Sequence, residues 1–253
     1  MTSVAVTGAG GRMGREVLHA AADRSDVEVV LAVDRTPGRQ VAGVDVEDEA
    51  DLPDLLAERD PDVLVDITAP AASVDYAAAC AEAGVASVVG TTGFDDEGMT
   101  ALRAASDAVP VLWASNFSRG VGALRRAVRA AVAALPGYDV ELTETHHNGK
   151  VDAPSGTAKT ILDDVDEVRG PAPRVHGREG DQPREGDEIG VHARRAGDVT
   201  GEHEVLMAGN SEVLSLTHRA GDRGVFAEGA LDAATWLAGR DPGWYDFAEV
   251  LDQ

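Results

Sequence analysis

Residues 4–34 read VAVTGAGGRMGREVLHAAADRSDVEVVLAVD. A β-branched apolar run ends at Gly8, and glycines recur at positions 10, 11 and 14. Met13, Val17 and Ala20–Ala21 then fall at helical spacing, and a second β-branched run closes on Asp34. A strand, a glycine turn, a helix and a strand in roughly thirty residues leave few folds open. Gly8 permits a tight turn. Gly10 and Gly11 let backbone approach a pyrophosphate, and Gly14 lets the helix pack closely on the strand. The helix N-terminus then presents N–H groups to phosphate. The spacing is G-x-x-G-x-x-G; the commoner G-x-G-x-x-G would need its third glycine at Met13. An acid at Asp34 suits the adenosine ribose hydroxyls of NADH. Arg35 and Arg39 stand close enough to meet the 2′-phosphate of NADPH, so both cofactors remain open.

The alternation continues. DVLVDIT (62–68), ASVVGTT (86–92) and VPVLWAS (109–115) read as buried strands, with helical SVDYAAACAEAG and DDEGMTALRAASDA between them. This predicts a Rossmann-type parallel sheet covered on both faces. After residue 116 the texture changes. An Ala-rich helix (119–135), a strand (138–147), a helix from Pro154 and a Pro, Gly and charge-rich loop over 169–188 come first. Three strands with Gly-containing turns follow, then a helix over 226–239 and a short one in WYDFAEVLD. The expected architecture is α/β. Residues 1–116 and 223–253 form a dinucleotide-binding domain, and residues 117–222 form an α+β mixed-sheet domain.

Forty-five acids against 22 lysines and arginines give a net charge of -23. Nucleic acid and anionic membrane surfaces would repel such a chain. The acids are scattered, as on a solvated surface and as in proteins of salt-loving organisms. No apolar run is long enough to span a membrane, and MTSVAVTGAGG lacks the pattern of a signal peptide. The lone Cys80 fits a reducing cytoplasm.

Against this charge, ETHHNGKVDAPSGTA (144–158) concentrates cations and donors. The chain has two lysines, Lys150 and Lys159, and one lies here. His146 and His147 can change protonation near neutral pH. Lys150 offers a point charge to a carboxylate. Ser155, Gly156 and Thr157 open a helix whose N–H groups and hydroxyls can hold a second carboxylate. The set suits a small dianionic substrate, though an exposed His pair and a plain helix cap account for the same residues one by one. No metal is expected, since no H-x-x-x-H or cysteine spacing supports a site.

ETHHNGKVDAPSGTA resembles the E-x-H-H-x-x-K-x-D-A-P-S-G-T-A signature of the dihydrodipicolinate reductase family. VAVTGAGGRMGREV, VGTTGF, ASNFSRGV, ARRAGDVTGEHEV and FAEGAL extend the resemblance over nearly the whole chain. The resemblance implies hydride transfer from NADH or NADPH to C4 of a dicarboxylate ring, giving tetrahydrodipicolinate in the diaminopimelate route to lysine. It implies His146 as proton donor and Lys150 as its aid and a carboxylate ligand. His147, Gly156 and Thr157 would contact substrate. Gly8, Ala9, Gly10, Gly11, Arg12, Met13, Asp34, Gly90, Thr91, Thr92, Ala114, Ser115, Asn116 and Phe117 would bind the cofactor, and Arg35 matches a position associated with NADPH. A homotetramer built on the second domain is also implied. DITAPAAS has no arginine before its proline, where some members carry one, and the segment after GRQVAG is shorter than in bacterial members. Rival readings are another amino-acid-type Rossmann dehydrogenase and a non-catalytic NAD sensor. The short-chain dehydrogenase pattern fails, because no tyrosine is followed four residues later by lysine.

Overall fold

The computed structural model describes residues 1–252, in two units: Met1–Ser118 with the segment from Arg223 onward, and Arg119–Asp222. In chain order the first unit runs β1 (Thr2–Thr7), α1 (Arg12–Ala22), β2 (Val27–Asp34), a small β3–β4 hairpin (Gln40–Val41, Val44–Asp45), β5 (Glu47–Asp48) and α2 (Leu52–Arg59). It continues with β6 (Val63–Asp66), α3 (Pro70–Ala83), β7 (Ala86–Val89), α4 (Asp96–Ala105) and β8 (Pro110–Trp113). The second unit holds α5 (Arg119–Ala134), β9 (Asp139–His146), α6 (Gly156–Arg169), β10 (Arg174–His176), β11 (Ile189–Arg195), β12 (Gly201–Gly209) and β13 (Glu212–Ala220). The chain then re-enters the first unit as α7 (Gly224–Leu237), β14 (Gly243–Tyr245) and α8 (Phe247–Val250).

The first sheet is parallel throughout, in the order β14-β8-β7-β6-β1-β2-β5. β6 and β7 read VLVD and ASVV and are buried at every residue, as central strands covered on both faces must be. One face packs with α1 and α7, through Val17, Leu18, Leu231 and Leu237. The other packs with α2, α3 and α4, through Leu52, Leu56, Tyr76, Cys80 and Leu102. Each fully buried Leu or Val contributes about 1.5–3 kcal/mol. The strand order reverses between β1 and β6, which places the expected ligand crevice beyond their carboxyl ends.

The second sheet is mixed. β10, β11 and β9 run parallel, and β12 and β13 are antiparallel to β9. Its inner face and the helices α5 and α6 form one core of Leu124, Val128, Ile161, Val165, Val140, Leu142, Ile189, Val191, Val205 and Met207.

Two details differ from expectation, and one expected feature is present. Residues 174–176, expected as loop, pair with β11. Residues 243–245, expected to start a helix, form an edge strand on β8, with the Arg103 guanidinium 4.3 Å over the Trp244 ring. Each is a three-residue strand, too short to show a period of two. As the short segment after GRQVAG leads one to expect, the part of the chain after β4 holds only a two-residue β5 and an eight-residue α2.

Candidate active site: a glycine turn and a histidine centre

Each unit carries one cluster of the expected residues. In the first, β1 ends at Thr7 and Gly8 adopts φ +64°, a left-handed conformation that favours glycine. The Gly11 N–H closes the turn on the Gly8 carbonyl at 2.8 Å. A methyl on Gly14 would stand 2.1 Å from that same carbonyl oxygen, so helix and strand can approach this closely only through glycine. Gly11 is the N-cap of α1, so the helix has no side-chain cap, and no acid lies in its first turn. Its N-terminal N–H groups and dipole therefore face outward, ready for an anion.

The Asp34 carboxylate binds that turn directly. It accepts from the Gly10 N–H at 2.9 Å, the Thr36 N–H at 3.0 Å and Arg39 Nη2 at 2.7 Å. Ala9 is buried, Met13 packs against the core, and Arg12 is exposed. Arg35 is exposed too and lines a separate cavity of about 530 Å³ with Asp48, Glu49, Asp75 and Tyr76.

Gly90, Thr91 and Thr92 follow β7; Ala114, Ser115, Asn116 and Phe117 follow β8. A Cβ on Gly90 would meet the Phe117 ring at 2.9 Å, so these two segments are fitted to each other. Phe117 in turn makes an edge-to-face contact with Phe247 at 5.3 Å. Thr92 is exposed, and Ser115 and Asn116 are half-buried. The residues present fit a dinucleotide: a close-packed glycine turn, an uncapped helix terminus, an acid at the ribose end, and a buried Arg39 Nε with no hydrogen-bond partner in the structure.

Beneath them lies a residue that motif reading passed over. Asp66 is 1% exposed at the end of β6. Its carboxylate accepts from the hydroxyls of Thr7 at 2.7 Å, Thr68 at 2.6 Å and Thr91 at 3.3 Å, and from Ser73. One buried acid thus ties together the ends of three strands and the first turn of α3.

The second cluster follows from strand periodicity. Val140, Leu142, Glu144 and His146 share one face of β9; Ile189, Val191, Ala193 and Arg195 share the same face of β11. Gly201, His203, Val205 and Met207 do so on β12. The face is apolar under the helices and turns polar at one end. Register pairs His146 with Arg195 and Glu144 with His203.

Glu144 is fully buried and uses both oxygens. Arg195 donates to each, at 2.8 and 2.7 Å, His146 Nδ1 lies 2.5 Å from Oε2, and the Ser155 N–H reaches Oε1 at 3.2 Å. Burial pushes this carboxyl up, but the Arg195 and His146 hydrogen bonds outweigh burial and hold it below its usual range. An ionised Glu144 can only accept, so the Nδ1–H of His146 donates to it and Nε2 is left for other work. Burial lowers the His146 pKa despite the facing carboxylate, so the ring rests neutral near pH 7. Nε2 faces Gly201, where a methyl would crowd it at 3.2 Å.

His203 packs edge-on to His146 at 5.2 Å and shares a 3.1 Å hydrogen bond with Ser155 Oγ. Burial drives its pKa down to about 4. Ser155, expected to touch a ligand, is already occupied. Its Oγ accepts from the Ala158 N–H as the cap of α6, and its own N–H goes to Glu144. What α6 offers an anion is therefore the backbone of Gly156 and Thr157, with no acid in the first turn. Lys150 pairs with the exposed Asp152 at 2.7 Å, and His147 is half-buried on the same loop. Glu144, Arg195, His203 and Gly201 were missed by motif reading. The period of two from Val140 to His146 was the signal that pointed to Glu144.

The arrangement can hold a dianion between a lysine and a helix terminus, beside an imidazole braced by a carboxylate. The family model described as Dihydrodipicolinate reductase, N-terminus, matches residues 2–117, and the one described as Dihydrodipicolinate reductase, C-terminus, matches residues 120–251. The 4-hydroxy-tetrahydrodipicolinate reductase of Haloarcula marismortui is 57% identical over 252 residues, covering 100% of both chains. That of Natronomonas pharaonis is 56% identical over 250 residues, covering 98% of this chain and 100% of its own. Among solved structures, dipicolinate-bound dihydrodipicolinate reductase from a Paenisporosarcina species matches with a TM-score of 0.81 at 26% identity, covering 97% of each chain.

Proposed function

The chain belongs to the dihydrodipicolinate reductase family, and on that premise we propose that it reduces the 4-hydroxy-tetrahydrodipicolinate ring system at C4, giving tetrahydrodipicolinate for lysine made through diaminopimelate. The observation that carries the reading is the buried Glu144–His146 pair, clamped by Arg195 beside the N-terminus of α6. NADH or NADPH, bound at the glycine turn through Gly8–Met13 and Asp34, supplies the hydride.

The chain's own residues do the rest. Gly156 and Thr157 hold one substrate carboxylate with backbone N–H groups, and Lys150 exchanges Asp152 for the other. A dianion arriving beside His146 favours the imidazolium, countering the burial that keeps it neutral at rest. Once the 4-hydroxyl has left as water, C4 belongs to a double bond conjugated with the ring imine; hydride addition at C4 then leaves the neighbouring C3 in need of a proton, and His146 gives it from Nε2 while Glu144 holds Nδ1–H. His147 contacts substrate from the same loop, and Ser155 positions the helix terminus. Gly90–Thr92 and Ala114–Phe117 line the nicotinamide end.

We also infer a homotetramer assembled through the second unit. The sheet face away from α5 and α6 presents half-buried Leu206, and Val213 is 64% exposed. Light scattering on the purified chain tests this; a monomer at assay concentration and salt rejects it. No helix among the described residues is long and apolar enough to cross a membrane, and a biosynthetic role in the cytoplasm is the setting proposed.

The function itself is tested by oxidation of NADH and NADPH at 340 nm, at low and molar salt. Substrate is made in situ by a synthase from pyruvate and aspartate semialdehyde. Oxidation that requires the synthase product supports the reading. Bound cofactor without such oxidation, at every salt concentration, favours a sensor or a different dehydrogenase.

A further inference from the structure

His203 is a polar residue in a place where packing asks for an apolar one. It lies on the inner face of β12, in line with Val205 and Met207, and is 3% exposed. A polar ring buried there costs free energy unless its nitrogens find partners. One of them does: Nε2 lies 3.1 Å from Ser155 Oγ, while Nδ1 is buried with no hydrogen-bond partner among the described residues. Burial keeps the ring neutral near pH 7. One nitrogen therefore carries a hydrogen and the other a lone pair. With the hydrogen on Nδ1, a buried N–H would have no acceptor, and orphaned donors are the rarest kind of unpaired group in proteins. With the hydrogen on Nε2, Nδ1 keeps only a bare lone pair, and His203 becomes a donor to Ser155.

Ser155 Oγ has one hydrogen and two lone pairs. It already accepts from the Ala158 N–H at 3.2 Å as the cap of α6. Accepting from His203 as well fills the second lone pair. The hydroxyl hydrogen then has no task inside the cap and is left at the helix end, beside the Gly156 and Thr157 backbone. We infer that His203 is a positioning residue for substrate: by donating from Nε2 it fixes the Ser155 hydroxyl as a donor toward the carboxylate seated on the N-terminus of α6. The inference rests on the proposed seating of a substrate carboxylate there. The opposite polarity would turn an oxygen lone pair toward that carboxylate and replace attraction by repulsion. The same serine passes its N–H to Glu144 Oε1 at 3.2 Å, and the His203 ring rests edge-on against His146 at 5.2 Å. Strand register sets His203 directly opposite Glu144. One residue of β12 thus joins the carboxylate seat to the braced imidazole.

The test has two parts. In the parent chain, ¹⁵N shifts of the labelled imidazoles report the tautomer of His203, and Nε2–H is expected; a protonated Nδ1 overturns the inference. Dipicolinate, an unreactive dicarboxylate, is then titrated by calorimetry into the full chain saturated with NADH. H203M keeps a similar bulk and drops the donor, and it should weaken dipicolinate by about tenfold or more, as for loss of a hydrogen bond to a charged group. H203Q, whose amide can donate to Ser155, should recover most of the affinity. S155A should weaken binding by itself, and H203M added to it should weaken it no further, because both changes act through one hydroxyl. In turnover, H203M should raise KM for substrate with the pH dependence of kcat unmoved. Parent-like binding in H203M, losses that add in the double variant, an H203Q as weak as H203M, or a shifted pH dependence would each make His203 a packing residue instead. Failure of the parent chain to bind dipicolinate at all would reject the dicarboxylate seat itself, a result distinct from these.

Discussion

Glu144 holds His146 by Nδ1 at 2.5 Å, from two residues earlier on the same strand, while Arg195 closes on both oxygens of the same carboxylate from the neighbouring strand. The ring is thereby fixed in one tautomer with Nε2 directed away from the carboxylate. E144Q keeps the shape and removes the charge. In the mechanism proposed above the proton donor is the His146 imidazolium, so the rate should fall as pH rises through the His146 pKa. Loss of the facing charge lowers that pKa further, because Glu144 is what opposes burial there. The expected outcome is a kcat reduced roughly 10²-fold, with the descending limb of the pH–rate profile moved to lower pH and NADH binding intact. A reduced rate with the limb unmoved would make Glu144 structural only.

His203 gives the second unit a specific weakness to acid. Its folded pKa is about 4 against an ordinary value of 6.5, so between these values the unfolded chain binds the extra proton. Stability should therefore fall as pH drops below about 6.5 and stop falling from this source near pH 4, with a total of about 3 kcal/mol at most. Burial lowers His146 and His218 as well, so the parent chain loses more than one residue explains. The decisive quantity is the difference in pH slope between parent and H203Q, from urea denaturation at pH 7.5, 5.5 and 4.5. Equal slopes would show that His203 is protonated without penalty.

Much of this was legible in the sequence because it is written locally. Gly8, Gly14 and Asp34 declare a turn, a close packing and a ribose acid within a single strand–helix–strand unit. The HHNGK and PSGTA segments lie side by side in the chain as they do in space. What stayed hidden depends on pairing between distant strands. Arg195 and His203 reach Glu144 only through the β9–β11 and β9–β12 registers, across 51 and 59 positions of chain. Asp66 looked like the polar end of an apolar strand, since its four hydroxyl partners lie in four separate segments. Ser155 shows the converse: its place in a ligand-like motif was plain, but its occupation by a cap and by Glu144 was not.

Asp66 should prove a positioning residue for the cofactor. It orders Thr68, whose methyl group backs Gly8 closely enough that a Cβ on Gly8 would meet it at 2.8 Å. Thr68 N–H also donates to Thr91 Oγ1 at 2.9 Å, linking the loops after β6 and β7. D66A removes the shared acceptor of four hydroxyls and should destabilise the first unit by about 3 kcal/mol. The milder D66N keeps an oxygen acceptor and should retain the fold. In that variant KM for NADH should rise severalfold with kcat nearly unchanged, since Asp66 shapes the turn without touching the reacting atoms. A fall in kcat at constant KM would place its effect on the chemical step instead.

Salt should matter more to this chain than to a near-neutral one. A net charge of -23 on 253 residues is a self-repulsion that the folded state concentrates. Raising KCl from about 0.1 to 1 M shortens the screening length from about 10 to 3 Å, which quenches repulsion between scattered surface acids. The same change weakens exposed pairs such as Lys150–Asp152 and Arg129–Glu167, but solvent-screened pairs of this kind contribute little to stability. The buried Glu144–Arg195 contact is screened far less, because solvent ions do not reach it. The balance favours salt, so Tm by calorimetry should rise steadily over that range, and NaCl should act much as KCl does. A Tm that fell with salt would mean that the surface ion pairs outweigh the net repulsion, and the acid-rich surface would then need another explanation.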